Sequence, residues 1–264
     1  MNKFSIKENI DNSIFKTYNI FSNFMFRFVN KKEKNLIKKN ITLKNIHQGK
    51  RCFILGTGPS LKNLNPDYLK NEITFGVNYL NRSEISKHIK PDYYCLFDNR
   101  FYSEDKEYMK TIINQFPNTK FIVRTKAHDT IKNLGINEEN IYYQYMNTYQ
   151  YKDVIEVDMC KNMTACMNVV LGCIQSAIYM GFKEIYLLGC DFNSFASPKV
   201  IHCYDNNDSP DRVMSVGFEL KCYSAVAYHH YALKDYSDRY GIKIYNLTPN
   251  SLLDAYERCK IEEI

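Results

Sequence analysis

Residues 51–64 read RCFILGTGPSLKNL, and this segment decides the fold. The apolar run Cys52–Leu55 predicts a short buried strand that leads directly into Gly56-Thr57-Gly58-Pro59-Ser60. The two glycines permit backbone conformations and close approaches that a side chain would block. If a helix follows, Ser60 lies near its first turn, where unpaired N–H groups attract an anion. A tight turn without a ligand is the alternative, because the third glycine of a dinucleotide-binding fingerprint is missing.

Composition limits the class of protein. The chain has 264 residues and is 45% hydrophobic, which is enough for one α/β domain with a large core. The nine cysteines include no CxxC pair, and several lie in apolar runs, so we expect reduced core thiols rather than disulfides. We find no secretory signal and no uninterrupted apolar stretch of the roughly 18 residues that a membrane span needs. We therefore expect a cytoplasmic protein.

The net charge of +6 is concentrated near the N-terminus. Residues 1–50 contain eleven Lys or Arg against three Asp or Glu, whereas the remaining chain is slightly acidic. This argues against a nucleic-acid-binding face on the domain. Residues 1–45 also hold six phenylalanines and resemble a peripheral segment on an anionic lipid surface. The alternative is a helical arm packed on the domain or on another subunit of a homo-oligomer.

Beyond this arm, strands alternate with helices. Apolar runs predict strands at 72–78, 91–98, 120–123, 141–145, 185–191 and 242–246, and helical spacing predicts helices at 104–115, 166–180 and 218–240. We place the start of the second helix at Asn162 and Thr164, which can cap it. The alternation predicts an α/β fold with an open, largely parallel sheet and helices on both faces. We expect the chain to divide into a basic, Phe-rich arm at 1–48 and one α/β domain at 49–264.

Polar residues follow several of these strands. Thr57, Asn78, Asp98 and Asp191 should meet at one rim, because ligands of open α/β sheets bind outside the carboxyl ends of the strands. Asn78 lies twenty residues after Gly58, where a dinucleotide-binding fold carries an acid, so the amide argues against NAD. An Asx turn is the alternative reading of Asn78.

The segment 192–217 is polar, turn-rich and long enough to be a lid. It contains His202, a candidate catalytic base whose alternative is a surface histidine. A later pair, His229-His230, fits a packed helix better than a metal site, because no third ligand lies at a suitable spacing.

Six segments together resemble a known family. The segments GTGPSL at 56–61, VNYL at 77–80, the strand ending at Asp98, the helix from Thr164, MGFKEIYLLGCDF at 180–192 and IKIYNLTPNSLL at 242–253 follow the order seen in bacterial sialyltransferases of glycosyltransferase family 42. The chain also resembles the broader family grouped with archaeal 6-hydroxymethylpterin pyrophosphokinase, which contains the Maf proteins that glycosylate flagellin. The resemblance spans roughly residues 51–256 and implies a single Rossmann-like, doubly wound, sialyltransferase-like fold.

The resemblance also implies a set of site residues. The residues that match positions around the CMP of a CMP-sugar are Gly56, Thr57, Gly58, Ser60, Asn78, Asp98, Thr164, Ala165, Gly189 and Asp191. The chain departs from the family at Thr57, which replaces an asparagine, and at Asn193, which replaces a phosphate-binding tyrosine. The family's catalytic histidine aligns nearest to Ser224. A His-aromatic-Tyr group of the wider family resembles His202-Cys203-Tyr204 instead, which makes His202 the candidate base and Tyr204 a phenol for the leaving phosphate.

The expected function is a metal-independent, inverting transfer of a nonulosonic sugar from a CMP-activated donor to a surface glycan or glycoprotein. A histidine with a pKa near 6.5 can accept the proton of the acceptor hydroxyl at neutral pH. One alternative is an ATP- and Mg²⁺-dependent pyrophosphokinase for a pterin-like alcohol, with the metal held by Asp98 and Asp191. Another is a non-enzymatic nucleotide-binding module that the basic arm attaches to a membrane complex.

Overall fold

The computed structural model of the protein describes residues 3–197, 199, 201–204 and 214–264. Its centre is a parallel β-sheet with nine strands in this part of the chain. The strands are β1 (Arg51–Leu55), β2 (Ile73–Val77), β3 (Tyr93–Leu96), β4 (Lys120–Arg124), β5 (Ile141–Thr148), β6 (Asn162–Thr164), β7 (Glu184–Leu188), β8 (Lys243–Asn246) and β9 (Glu257–Arg258). The α-helices are α1 (Lys3–Phe26), α2 (Lys31–Lys38), α3 (Ile85–His88), α4 (Lys106–Gln115), α5 (His128–Asn133), α6 (Val169–Tyr179) and α7 (Val216–Arg239).

The order of the strands creates a point where the chain changes direction across the sheet. The order is β6-β5-β4-β3-β2-β1-β7-β8-β9, and each of these strands pairs with its neighbours in parallel. The chain builds outward from β1 to β6 and then returns to the other side of β1 as β7. Leu55 pairs with Leu188, so the turns that follow β1 and β7 lie side by side. Ligands of open α/β sheets bind at such a switch point.

Both faces of the sheet are covered. In β1, Cys52 and Ile54 face one hydrophobic core, while Phe53 and Leu55 face the other, as the two-residue period of a strand requires. The first core includes apolar residues of α6 and α7, and the second includes residues of α4 and α5. This confirms the predicted doubly wound α/β fold with a helical N-terminal arm.

The structure differs from the expected secondary structure at three places. Asn162 and Thr164 belong to strand β6, where they pair with β5, so the expectation that they cap a helix was wrong. Helix α6 begins at Val169, and Asn168 caps it by accepting a hydrogen bond from the N–H of Val170. The glycine turn leads into a short 3₁₀ turn at Pro59–Asn63 instead of an α-helix. Strands β6 and β9 are too short, at three and two residues, for a period to reveal them.

The N-terminal arm consists of α1 and α2, both of which contact β5. Within the described ranges, no helix combines the length and the apolar character that crossing a membrane would require.

Candidate functional site

The turns after β1 and β7 are in close contact. The N–H of Gly56 donates to the Leu188 carbonyl at 2.7 Å, and the N–H of Gly58 donates to the Gly189 carbonyl at 2.8 Å. Gly189 has a φ of +65°, a left-handed conformation that favours glycine. The backbone is so tightly packed here that a Cβ on Gly56 would lie 2.4 Å from the Gly189 carbonyl oxygen.

Asp191 holds the glycine turn from the other side. Its side chain, which is 8% exposed, accepts hydrogen bonds from the Ser60 hydroxyl at 2.7 Å and from the Ser60 N–H at 3.2 Å. Residues 56–60 have four N–H groups, since Pro59 has none. Three of them, those of Gly56, Gly58 and Ser60, donate to groups of the protein itself. The glycine turn therefore forms part of the cavity wall but leaves few N–H groups free to bind a ligand.

A cavity of about 280 Å³ opens at this switch point. This volume lies just below the range of about 300–1,000 Å³ that is usual for small-molecule sites. The described residues that line it come from the two turns, the end of β2, the start of α6, helix α7, the segment around His202 and the connection between β8 and β9. They are Gly56, Thr57, Gly58, Pro59, Val77, Asn78, Met167, Asn168, Val169, Val170, Gly189, Cys190, Asp191, Phe192, Asn193, Ser194, Ile201, His202, Tyr223, His230 and Leu253.

Asn78, directly after β2, is one of the residues that line this cavity. Its φ of +44° is left-handed, a conformation that asparagine tolerates better than most residues. The phenol of Tyr94 donates to its carbonyl at 2.9 Å and so holds the backbone in place. The side-chain oxygen Oδ1 is buried and has no hydrogen-bond partner among the described residues. An unpaired buried acceptor is costly, so a ligand with a donor group would be bound favourably here.

His202 lies in the wall of the cavity with Tyr204 stacked against it. The two rings are 4.9 Å apart between centroids and inclined by 18°. The segment is fixed to the glycine turn because the N–H of Cys203 donates to the Thr57 carbonyl at 2.9 Å. Burial lowers the pKa of His202, a hydrogen bond to the Thr57 backbone opposes this, and the charge of Arg100 adds to the lowering. A neutral imidazole at pH 7 is the form that can accept a proton.

The start of α6 also lines the cavity, through Val169, Val170 and the two residues that precede the helix, Met167 and Asn168. The first N–H groups of a helix have no partner within the helix, and Asn168 satisfies only that of Val170. The positive end of the helix dipole favours an anion at this position. The sequence predicts an anion-binding site at the glycine turn. The start of α6 is a better candidate for that site.

Helix α7 contributes two residues to the lining of the cavity, Tyr223 and His230. Phe192, with a φ of +56°, packs its ring between them. His230 is 1% exposed and its Nδ1 lies 2.9 Å from the hydroxyl of Tyr256, while Nε2 of the neighbouring His229 lies 3.1 Å from Nε2 of Gln175. Burial lowers the pKa of His229 to about 4 and that of His230 to about 3. In the described part of the chain, no three metal-ligating side chains come together.

Seven of the twelve residues singled out from the sequence line the cavity: Gly56, Thr57, Gly58, Asn78, Gly189, Asp191 and His202. The described lining does not include Ser60, Asp98, Thr164, Ala165 or Tyr204.

These five residues have other contacts. Ser60 binds Asp191, and Tyr204 is buried beside His202, with a pKa that burial raises. Asp98 pairs with Arg100 at 2.8 Å, and although burial acts in the other direction, the bonds from Arg100 lower its pKa. Thr164 lies in β6, where its hydroxyl accepts from the N–H of Glu156 at 2.9 Å. The N–H of Ala165 donates to the Thr148 carbonyl at 2.8 Å.

Four further residues that line the cavity were not assigned to the site from the sequence: Asn168, Phe192, Tyr223 and His230. The Asn168 cap was detectable, because an asparagine precedes the apolar run VVLGCI. Of the expected lid at 192–217, residues 198, 200 and 205–213 lie outside the described residues.

Comparison with solved structures finds three that are similar to this chain. A Maf glycosyltransferase from Magnetospirillum magneticum matches with a TM-score of 0.52 at 14% identity, over 88% of this chain and 39% of that one. The sialyltransferase CstII from Campylobacter jejuni, in complex with cytidine-5'-monophosphate, has a TM-score of 0.49 at 21% identity, over 80% and 85% of the two chains. An α-2,3-sialyltransferase from Campylobacter jejuni in its apo form has a TM-score of 0.45 at 17% identity, over 79% of each chain.

These structural likenesses concern the fold alone. No curated protein matches the sequence. A family model matches residues 26–195, which is more than half of the chain and includes β1–β7, the glycine turn and Asp191. The chain therefore belongs to the family described as 6-hydroxymethylpterin diphosphokinase MptE-like.

Proposed function

We propose that the protein is a glycosyltransferase that transfers a nonulosonic sugar from a CMP-activated donor to a surface glycan or glycoprotein. The observation that carries the proposal is one cavity that combines the unpaired amide oxygen of Asn78, the imidazole of His202 and the start of α6. A hydroxyl or amino group of the nucleotide would donate to the Asn78 amide oxygen, and the acceptor hydroxyl would give its proton to His202. A phosphate would bind at the start of α6.

Two further findings support this proposal. The sequence segments that resemble family 42 sialyltransferases include the turns after β1 and β7, which form the switch point of the fold. The Maf protein with the same fold is named as a glycosyltransferase.

The chemistry follows from the placement of the groups. The neutral imidazole of His202 takes the proton from the acceptor hydroxyl as that oxygen attacks the anomeric carbon. The bond to the CMP phosphate breaks, and the first turn of α6 stabilises the charge that develops on the leaving group. A single direct displacement of this kind inverts the anomeric centre. Tyr204 acts behind His202 and restricts the orientation of its ring.

The family description favours a second candidate, an ATP- and Mg²⁺-dependent diphosphotransfer to a pterin-like alcohol. That chemistry uses carboxylates to hold Mg²⁺. In the described chain, Asp191 lies at the cavity and is bonded to Ser60, while Asp98 is paired with Arg100 outside the lining. The two carboxylates would have to leave these partners to share a metal, so we rank this function second.

Thermal unfolding in the presence of CMP, CDP, UDP, GDP or ATP, each with and without Mg²⁺, tests the proposal. We expect CMP to raise Tm without Mg²⁺, because binding to the folded state alone stabilises it. Stabilisation by ATP only with Mg²⁺, and none by CMP, would support the diphosphotransferase instead.

Turnover separates an enzyme from a nucleotide-binding module. We expect the protein to release CMP from CMP-N-acetylneuraminic acid, and His202→Ala to lose this activity while CMP still raises its Tm. If His202→Ala retained full turnover, His202 would not be the base. If CMP bound and no donor were turned over by the unaltered protein, the non-enzymatic function would replace our proposal.

A further inference from the structure

The outward face of α1 is apolar. Five residues form what we call the outer stripe: Ile6, Ile10, Ile14, Phe21 and Phe24. Their exposed fractions lie between 42% and 61%. At 100° per residue, all five fall within about 80° of the helix circumference. A contiguous exposed apolar face of this kind marks an interaction surface.

The inward face of α1 fixes this orientation through polar contacts. The side chain of Asn19 binds both main-chain groups of Tyr149, donating to the carbonyl at 2.7 Å and accepting from the N–H at 2.8 Å. Ser22, which is 3% exposed, donates to the Asn147 carbonyl at 2.6 Å and accepts from Asn162 at 3.0 Å. An amphipathic helix on a soluble domain usually buries its apolar face and exposes its polar one. Here the inward face combines these polar contacts with the rings of Phe15 and Phe26, which pack on Tyr149 and Tyr145, while the apolar outer stripe remains exposed.

Positive charge accompanies the stripe. Residues 31–50 contain seven lysines and one acid, and the exposed lysines among them are Lys31, Lys32, Lys38, Lys44 and Lys50. Lys3, Lys16 and Arg27 are also exposed on α1 or directly after it. If two copies of the chain packed stripe against stripe, their basic arms would be brought together and would repel each other. An anionic surface would attract the same charges.

We propose that the outer stripe docks α1 onto an anionic lipid bilayer, with the helix lying in the plane of the interface. The phenylalanine and isoleucine side chains enter the boundary between headgroups and acyl chains, and the neighbouring lysines contact the anionic headgroups. Because the arm contacts the sheet at β5, docking positions the whole domain at the membrane. This proposal rests on the arm alone and is independent of the sugar donor.

Sedimentation with vesicles tests the docking surface. We would mix the full chain with vesicles of phosphatidylcholine alone, or of phosphatidylcholine with phosphatidylglycerol. We expect binding to the anionic vesicles, weakening at high salt because the lysine contribution is screened. The affinity of the variant Phe21→Ser/Phe24→Ser for these vesicles should fall by at least about tenfold, since it loses two inserted aromatic rings.

A matched control replaces two apolar residues of similar exposure outside the arm. Tyr68 and Ile264 are 41% and 39% exposed, and the variant Tyr68→Ser/Ile264→Ser should bind vesicles as the unaltered protein does. The Tm of both variants reports whether the fold is kept. Equal vesicle binding by the two variants, or no binding by the unaltered protein, would overturn the proposal. A concentration-dependent dimer that only Phe21→Ser/Phe24→Ser abolishes, without vesicle binding, would assign the stripe to a second copy.

Discussion

Gly56 and Gly189 pack backbone against backbone at the switch point of the sheet. A Cβ added to Gly56 would lie 2.4 Å from the carbonyl oxygen of Gly189 and 2.9 Å from its carbonyl carbon. A Cβ on Gly189 would lie 3.0 Å from the carbonyl oxygen of Gly56. Neither residue can acquire a side chain unless β1 and β7 move apart, and the shape of the cavity depends on that spacing.

We therefore predict that Gly56→Ala destabilises the protein by about 2–3 kcal/mol, because the added methyl group meets backbone that cannot rotate away. The control is Gly217→Ala in α7, where, among the described residues and apart from the helix's own neighbouring backbone, no atom lies within 4 Å of the new Cβ. That variant should be neutral or slightly more stable, since alanine favours a helix. Urea unfolding of both variants measures the difference, and equal free energies of unfolding would contradict the prediction.

The contact between Ser60 and Asp191 predicts an energetic coupling between the two turns. Ser60→Ala removes the bond from the hydroxyl, and Asp191→Ala removes this bond together with the one from the Ser60 N–H. Because both variants lose the hydroxyl bond, their effects should not add when combined. We expect a coupling energy of about 1–2 kcal/mol, since the bonds involve a buried carboxylate. A double-mutant cycle by urea unfolding gives this value. Additive effects would mean that the two turns are held together by the backbone contacts alone.

Much of this architecture can be predicted from patterns in the sequence. Apolar runs such as Cys52–Leu55 reveal the strands of a buried parallel sheet, and the order of the six segments reveals the family. The cap of α6 was misplaced because Thr164 and Asn168 both have side chains that can cap a helix, and only the pairing of β6 with β5 excludes Thr164. The site was harder to predict, because the same polar side chain can serve a ligand or the fold. The Asp191 carboxylate accepts a hydrogen bond from Ser60, whereas the Asn78 amide oxygen has no hydrogen-bond partner among the described residues.

The side chain of Asn78 can be separated from its backbone conformation. Asn78→Ala removes the amide and also strains a backbone with a φ of +44°, at a cost of about 1 kcal/mol in stability. Asn78→Gly removes the amide and tolerates this φ. If the amide contacts the nucleotide, both variants should lose about tenfold in CMP affinity, while only Asn78→Ala should lose Tm. Calorimetric titration with CMP measures this, and full affinity in Asn78→Gly would remove the amide from the site.

The two buried histidines of α7 predict a loss of stability in acid. In the unfolded chain their pKa is near 6.5, whereas burial lowers the pKa of His229 to about 4 and of His230 to about 3 in the folded protein. Between these values the unfolded state binds more protons, so the free energy of unfolding should fall as the pH decreases below 6.5. Each histidine contributes a slope of up to about 1.4 kcal/mol per pH unit.

Replacing His230 with Phe should reduce this slope by the contribution of one proton. Urea unfolding of the unaltered protein and of His230→Phe at several pH values between 4 and 6.5 measures both slopes. The comparison uses slopes because the lost contact with Tyr256 also lowers the stability of the variant at every pH. Identical slopes would mean that His230 does not resist protonation in the folded state.

The activity of a base at His202 should depend on pH in a defined direction. Burial lowers the pKa of this imidazole, and the charge of Arg100 adds to the effect, against an opposing hydrogen bond to the Thr57 backbone. Only the neutral form accepts a proton, so kcat/KM for CMP release from CMP-N-acetylneuraminic acid should be constant around neutral pH. It should fall in acid, with a midpoint below the usual 6.5 of histidine.

Two variants test this assignment. His202→Ala should lose about 10²–10⁴-fold in kcat/KM and the acid limb of the profile with it. Arg100→Gln removes a positive charge and leaves the carboxylate of Asp98 without its partner, and both changes favour the protonated imidazole. Its midpoint should therefore move to higher pH. A midpoint that stays in place in Arg100→Gln, or that persists in the residual activity of His202→Ala, would show that another group titrates, and Tyr223 and His230 would be the next side chains of the cavity to replace.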